Sequence, residues 1–291
     1  MTFDVPPEQT AKAETFRKLH QETRTFVMPC AWDASSAITF EELGFECIGT
    51  TSGGVNWAKG RRDYVYAVSR DLMLDEYSLI TRATSLPVSG DLENGYGDDP
   101  TDVAETIKQS IVFGMVGGSI EDQVMSGDGR LYDTSLAVER IVAAREAADR
   151  LGIAYTLTAR CESFSSSYDD PFSEAIERLN LYRSAGADCL FAPGISDRNT
   201  LKKLVEEVDG PISFGMGATE QPLSISTLSK LGIRRVSTGG GLPRAAFSFV
   251  RGAAAEILAS GTFDYLDGAI SDADINDYFQ RHGSPARDIL K

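Results

Sequence analysis

The chain has 291 residues and a mass of 31.5 kDa, with 43 acidic and 28 basic side chains, a net charge of −15 at pH 7 and a pI of about 4.6. This balance argues against nucleic acid or an anionic membrane as a partner, because both bind clustered Lys and Arg. A hydrophobic content of 42% is typical of a globular protein. No apolar run approaches the roughly 18 residues of a membrane span.

The first 20 residues contain no basic segment followed by an apolar core, so we expect no secretion signal and a cytoplasmic location. The four cysteines form no C-x-x-C pair and are expected to be reduced and mostly buried. His20 and His282 are the only histidines, which weighs against His-based triads and His-ligated zinc. Both are expected at the surface.

Short apolar runs alternate with helical patterns from one end of the chain to the other. About eight runs are present, and this alternation predicts parallel strands joined by helical crossovers. We therefore expect an α/β protein with a (β/α)8 TIM barrel formed by one domain over residues 1–291. An open doubly wound sheet is the main alternative, but no G-x-G-x-x-G follows the first strand. The runs begin at Phe26, Glu46, Leu86, Gly117, Ala154, Cys189, Ile212 and Arg234.

Amphipathic spacing predicts helices over 135–152, 170–188 and 245–260. The second begins with an Asp-Pro pair, which favours a helix start. The final stretch, 263–291, is acidic and then basic, and we expect an extra C-terminal helix there that packs on the barrel or on a neighbouring subunit.

Acidic residues follow several predicted strands at the end where a barrel carries its chemistry. Asp91 and Glu93 follow the third strand, and alternation along a strand predicts that both point the same way. Glu121 ends the next strand and Arg160 the one after it. Asp63 lies in the loop after the second strand.

Several carboxylates at one barrel mouth repel each other, and a divalent cation relieves that repulsion. Oxygen donors without His or Cys select a hard ion, so Mg²⁺ is expected, with Mn²⁺ possible. Arg160 beside such a site suits a carboxylate of the substrate, since a guanidinium binds it in bidentate fashion.

These residues resemble the isocitrate lyase/phosphoenolpyruvate mutase superfamily. The acidic stretch with Gly95-Tyr96-Gly97, followed later by Glu121-Asp122, is the most specific part of the match. The resembling stretches are spread over about half of the chain, from Pro29 to Phe164: 29–33 with 36–37, 51–53, 60–63, 91–97, 120–122 and 158–164.

The resemblance implies a barrel that acts on α-oxocarboxylates through a Mg²⁺-stabilised, pyruvate-like enolate. It implies a metal site with Asp91 as the main ligand and with Asp63, Glu93 and Glu121 in its water-mediated shell, and it implies catalytic roles for Arg160, Asp63 and Glu121. It also implies a homodimer or homotetramer that exchanges a C-terminal helix. The substrate-binding residues that it implies are Trp32, Ser52, Gly53, Asn94, Gly95 and Arg160.

The loop at 123–134 departs from the better-known members. It has none of the Lys, Cys and His of isocitrate lyases and no Lys or Asn as in phosphoenolpyruvate mutase. Its composition is that of a lid, and Arg130 or Tyr132 is a candidate for a second anion contact or a proton donor. A loop with no such function is the alternative.

We therefore expect a lyase that cleaves carbon–carbon bonds, or a decarboxylase, acting on a small α-oxo or 2-hydroxy carboxylic acid. The alternatives are a phosphonopyruvate-type mutase or hydrolase and a barrel that only binds a carboxylate.

Overall fold

The computed structural model describes residues 4–63, 67–125, 128–218 and 222–282. Its strands form one parallel sheet that curls into a barrel, with helices outside. The strands are β1 (Phe26–Met28), β2 (Cys30–Ala31), β3 (Ile48–Thr50), β4 (Val88–Asp91), β5 (Gly117–Glu121), β6 (Thr156–Arg160), β7 (Cys189–Phe191), β8 (Ile212–Gly215) and β9 (Arg235–Ser237).

The described structure has nine strands where the sequence predicts about eight, because the first predicted strand is interrupted at Pro29. Proline has no N–H to donate, so the first strand is divided into β1, which pairs with β9, and β2, which pairs with β3. The Pro29 carbonyl accepts from Gly49 N–H at 2.8 Å. The two pieces thus join the sheet's ends, and the predicted (β/α)8 barrel is confirmed.

The predicted helices are present within a few residues of their expected bounds. Asp170 caps the helix that follows it by accepting from Ser173 N–H, as its Asp-Pro start indicates. The helices are α1 (Pro7–Gln21), α2 (Ala34–Glu42), α3 (Ser52–Ala58), α4 (Arg70–Ala83), α5 (Pro100–Val112), α6 (Thr134–Arg150), α7 (Pro171–Ser184), α8 (Arg198–Glu207), α9 (Ile225–Lys230), α10 (Gly241–Ser260) and α11 (Asp272–His282).

Helix α1 covers the amino-terminal end of the barrel and buries His20 there. The imidazole is 4% exposed and lies between the Phe16 and Phe26 rings, with ring centroids 4.7 and 5.0 Å away. The prediction of a surface His20 is wrong, because helix α1 faces strands that are far away in sequence. His282 is exposed, and all four cysteines are buried, as predicted.

The predicted C-terminal helix is present as α11, and residues 283–291 of that extension lie outside the described residues. In the described part of the chain, no helix is long and apolar enough to cross a membrane.

Candidate active site

A cavity of about 320 Å³ opens at the carboxyl ends of the strands. Asp63, Asp91, Glu93, Glu121 and Arg160 all line it. The structure therefore brings together five of the residues predicted from the sequence, although they are spread over about 100 positions.

Asp91 is the last residue of β4, and the start of α3 holds its side chain. Its Oδ2 accepts from Ser52 N–H at 3.0 Å and from Ser52 Oγ at 2.9 Å. Its own N–H donates to Thr50 Oγ1 at 2.9 Å. Within the described residues no hydrogen bond involves Asp91 Oδ1, so one oxygen of a fixed carboxylate is available to a ligand in the cavity.

Asp63 lies beside the same helix start. Its Oδ1 accepts from Asn56 Nδ2 at 3.1 Å and from Ser52 Oγ at 3.4 Å. A Cβ on Gly53 would lie 2.8 Å from Asp63 Oδ2, so only glycine permits this close approach. The carboxylates of Asp63 and Asp91 therefore both contact the hydroxyl of Ser52.

Glu93 reaches the cavity by a different route from the one expected. It lies beyond β4 with φ of +49°, in the left-handed region that residues other than glycine rarely adopt, so strand alternation does not orient it. The side chain is 4% exposed, and its Oε1 accepts from Tyr96 Oη at 3.4 Å. Burial, and then the nearby charges of Asp91 and Asp63, raise the pKa of Glu93 to about 8.

Glu121 and Arg160 are directly opposite each other on β5 and β6. Arg160 Nη1 lies 3.1 Å from Glu121 Oε2, and Arg160 Nε donates to Glu162. Its guanidinium carbon is 5.6 Å from the centre of the Phe191 ring. Burial raises the pKa of Glu121 well above its usual range, although the Arg160 charge opposes the shift.

The carboxylate oxygens at the cavity have contacts that suit a divalent cation. Glu93 Oε2 and Glu121 Oε1 are buried and have no hydrogen-bond partner in the described structure. Such orphaned carboxylate oxygens fit a bound cation or its water. However, the described residues contain no group of three or more His, Cys, Asp or Glu side chains placed to hold one ion together. The arrangement fits an ion bound directly by few residues and otherwise through water, as Mg²⁺ prefers.

Three predicted substrate contacts do not line the cavity. Asn94 is fully buried, and its Nδ2 donates to Tyr132 Oη at 2.8 Å, behind the Glu93 turn. Gly95 packs against Val103, and Trp32 lies half-buried at the start of α2. Ser52 and Gly53, which are also predicted substrate contacts, do line the cavity.

Trp57 lines the cavity where Trp32 was expected, and the sequence analysis missed it. A Cβ on Gly240 would lie 2.7 Å from the Trp57 ring, so the indole lies against the start of α10. The spacing of four residues between Gly53 and Trp57 places both on one helix face, and that was the available signal.

The predicted lid residues are also turned away from the cavity. Tyr132 is buried, its hydroxyl donates to Asp98 at 2.6 Å, and Arg140 lies over its ring. Arg130 is 68% exposed on the outside of the loop. Neither lines the cavity, so the proton or anion contact expected of them is not provided in this structure. Ser126 and Gly127 of this loop lie outside the described residues.

The family model described as Phosphoenolpyruvate phosphomutase matches residues 16–258. The chain belongs to the isocitrate lyase/phosphoenolpyruvate mutase superfamily. Among solved structures of this superfamily, a candidate lyase/mutase from Burkholderia cenocepacia J2315 is 43% identical, with a TM-score of 0.90 over 94% of this chain and 97% of the other.

Relatives with named activities include a lyase and a decarboxylase. The 2-methylisocitrate lyase of Halalkalibacterium halodurans is 26% identical over 84% of this chain and 77% of its own. The oxaloacetate decarboxylase of Chromohalobacter salexigens is 27% identical over 80% of each chain. Relatives of the superfamily are thus enzymes that act on small carboxylates, and members include lyases and mutases.

Proposed function

We propose that the protein is a Mg²⁺-dependent carbon–carbon lyase or decarboxylase acting on a small α-oxo or 2-hydroxy carboxylic acid. The observation that carries this proposal is the convergence of four carboxylates and Arg160 on one cavity, with buried oxygens of Glu93 and Glu121 left without partners. The named activities of the two relatives support it.

Asp91 would hold the ion directly, and Asp63, Glu93 and Glu121 would hold it through water. Bound there, the cation would stabilise the negative charge that bond cleavage leaves on the departing fragment. Asp91 is suited to this role because it lines the cavity and Ser52 fixes its Oδ2, while no hydrogen bond within the described residues involves Oδ1.

The remaining residues bind and orient the substrate. Arg160 binds a carboxylate, and its contacts to Glu121 and Glu162 hold the guanidinium plane in place. The Ser52 N–H is already engaged by Asp91, so Gly53 N–H is the amide at this helix start that remains for a substrate oxygen. Trp57 closes the side of the cavity and excludes water from the reacting bond.

A substrate panel tests the proposal directly. The protein is incubated with oxaloacetate, 2-methylisocitrate-like hydroxy diacids or phosphonopyruvate, in Mg²⁺ or in EDTA, and released pyruvate is measured by a coupled assay. We expect Mg²⁺-dependent pyruvate from one of the first two classes. Pyruvate from phosphonopyruvate alone would establish the hydrolase alternative instead, and phosphoenolpyruvate formed from phosphonopyruvate would establish the mutase alternative.

Variants separate catalysis from binding. Asp91→Asn should lower kcat/KM by about 10² or more, the scale on which a lost charge-stabilising group acts. Asp71→Asn is the matched control, since that side chain is 82% exposed on α4, and it should retain full activity. No turnover on any oxo acid, together with no effect of Mg²⁺ on thermal stability, would favour a barrel that only binds carboxylates.

We further propose that the chain assembles as a homodimer or homotetramer through α10. This 20-residue helix buries only Pro243. Phe247, Phe249, Val250 and Leu258 are each at least 60% exposed, which is unusual for large apolar side chains that remain in water. A second copy of the chain would cover this face, and light scattering coupled to gel filtration measures the mass.

A further inference from the structure

Arg235 is a buried cation below the strand ends. It is the first residue of β9, is 3% exposed and lines the same cavity as the carboxylates. Its Nε donates to Ser213 Oγ at 3.0 Å, and its Nη1 donates to Thr158 Oγ1 at 3.1 Å and to His20 Nε2 at 3.3 Å. The hydrogen bonds of this guanidinium therefore go to two hydroxyl groups and one imidazole, and none of them goes to a carboxylate.

The imidazole of His20 is neutral. Its Nδ1 lies 2.9 Å from the Phe16 carbonyl oxygen, which can only accept, so Nδ1 carries the hydrogen and Nε2 accepts from Arg235. Burial and the Arg235 charge lower the pKa of His20 to about 3. Burial likewise raises the pKa of the nearby Cys47 and Cys189 thiols, so they too are uncharged. None of these neighbours neutralises Arg235.

No carboxylate of the described residues lies within 4 Å of Arg235, and its Nη2 donates to none of them. A buried charge without a counter-ion is costly. The interior of this fold is normally filled by branched aliphatic side chains. Here Ser89, Ser119 and Ser237 line the same cavity as Arg235, so small side chains with hydroxyl donors take the place of bulky aliphatic ones.

We propose that the floor of the cavity is a second anion-binding subsite, in which Arg235 binds a compact monoanion. The ligand is one carboxylate group of a dicarboxylic acid or a free inorganic anion. Arg160 is a separate group, because Glu121 and Glu162 already contact its guanidinium. The subsite requires neither a divalent metal nor catalysis.

Thermal unfolding in EDTA tests the subsite with sodium formate as the probe. Ionic strength is held constant with sodium HEPES, whose anion is too bulky for the cavity floor. We expect a saturable rise in Tm for the wild type by mass action. In Arg235→Met the apparent Kd for formate should rise about tenfold or more, as expected for a lost charge-assisted hydrogen bond. Arg235→Lys should restore much of the affinity.

The lysine variant separates binding from a purely structural role. It keeps the charge but cannot reproduce the bonds to Ser213, Thr158 and His20 together, so a structural role would leave it as anion-insensitive as Arg235→Met. No saturable shift in the wild type, or equal formate affinity in the wild type and Arg235→Met, would overturn the proposal.

A second measurement keeps the test independent of how the variants fold. Wild-type crystals soaked in sodium bromide should show an anomalous peak within hydrogen-bond distance of Arg235 Nη2, and a floor without bromide would contradict the subsite. Malonate, succinate and glutarate then identify the source of the anion. An optimum chain length indicates the second carboxylate of one ligand, whereas affinities equal to that of formate indicate a free anion.

Discussion

Glu93→Gln provides the sharpest test of the electrostatics at the cavity. In the metal-free protein Glu93 has a pKa of about 8 when folded, against 4.5 for the unfolded chain. The folded state therefore holds a proton that the unfolded state has lost, and stability falls as pH rises from 4.5 through 8. Glutamine resembles the protonated acid but cannot ionise, so it removes this dependence.

The magnitude follows from the size of the shift. Each pH unit over which only the folded state retains the proton costs about 1.4 kcal/mol of stability. Between pH 6 and pH 9 the free energy of unfolding of the wild type should therefore fall by about 3 kcal/mol relative to that of Glu93→Gln. Two of these three pH units lie below the folded-state pKa, and each of the two contributes fully. Glu93 is almost fully buried, so solvent does not screen the effect.

Urea unfolding in EDTA at several pH values measures this difference. Glu42→Gln is the control, since Glu42 is exposed at the end of α2 and its stability should parallel that of the wild type. Adding Mg²⁺ at pH 9 should restore more stability to the wild type than to Glu93→Gln, because the ion favours the ionised carboxylate. A stability difference that does not change between pH 6 and 9 would show that the folded protein does not hold Glu93 in its protonated form.

Three further predictions concern the scaffold and the assembly. Between pH 7 and pH 4.5 the free energy of unfolding of the wild type should fall by about 3 kcal/mol relative to that of His20→Gln, because the buried imidazole has a lowered pKa and only the unfolded chain gains the proton. Urea unfolding at several pH values measures this difference. Arg140→Leu should lower the free energy of unfolding by about 3 kcal/mol or more, because the guanidinium donates to three backbone carbonyls around the Glu93 turn. Denaturation curves at one pH measure this loss. Leu258→Glu should lower the mass seen by light scattering, and an unchanged oligomer would argue against α10 as the interface.

The barrel could be predicted because its evidence is local. Each strand is a short apolar run, the predicted helices show their own apolar period, and the order of elements restricts the topology. The same argument placed Asp91, Glu121 and Arg160 correctly, since each ends a strand and adjacent parallel strands end at one edge of the sheet.

Other site residues depend on contacts that no local pattern reports. The left-handed turn at Glu93 is held by Arg140, which lies 47 positions later in the chain. The burial of His20 depends on strands at the other end of the sequence. Trp57 shares a helix face with Gly53, but this spacing does not report the approach of Gly240, which only the closed barrel brings near, so Trp57 was missed.

Helix α10 connects two regions of the molecule that would otherwise be independent. Its first turn lies against Trp57, and Arg244 from that turn donates to the Gly217 carbonyl at the cavity rim. About 25 Å from Gly241, at 1.5 Å per residue, the far end of the helix carries the exposed side chain of Leu258. A helix is stiff along its axis, so a second copy docked on the distal end, as proposed above for the assembly, would also fix the tilt of the cavity wall and would link association to the width of the cavity entrance.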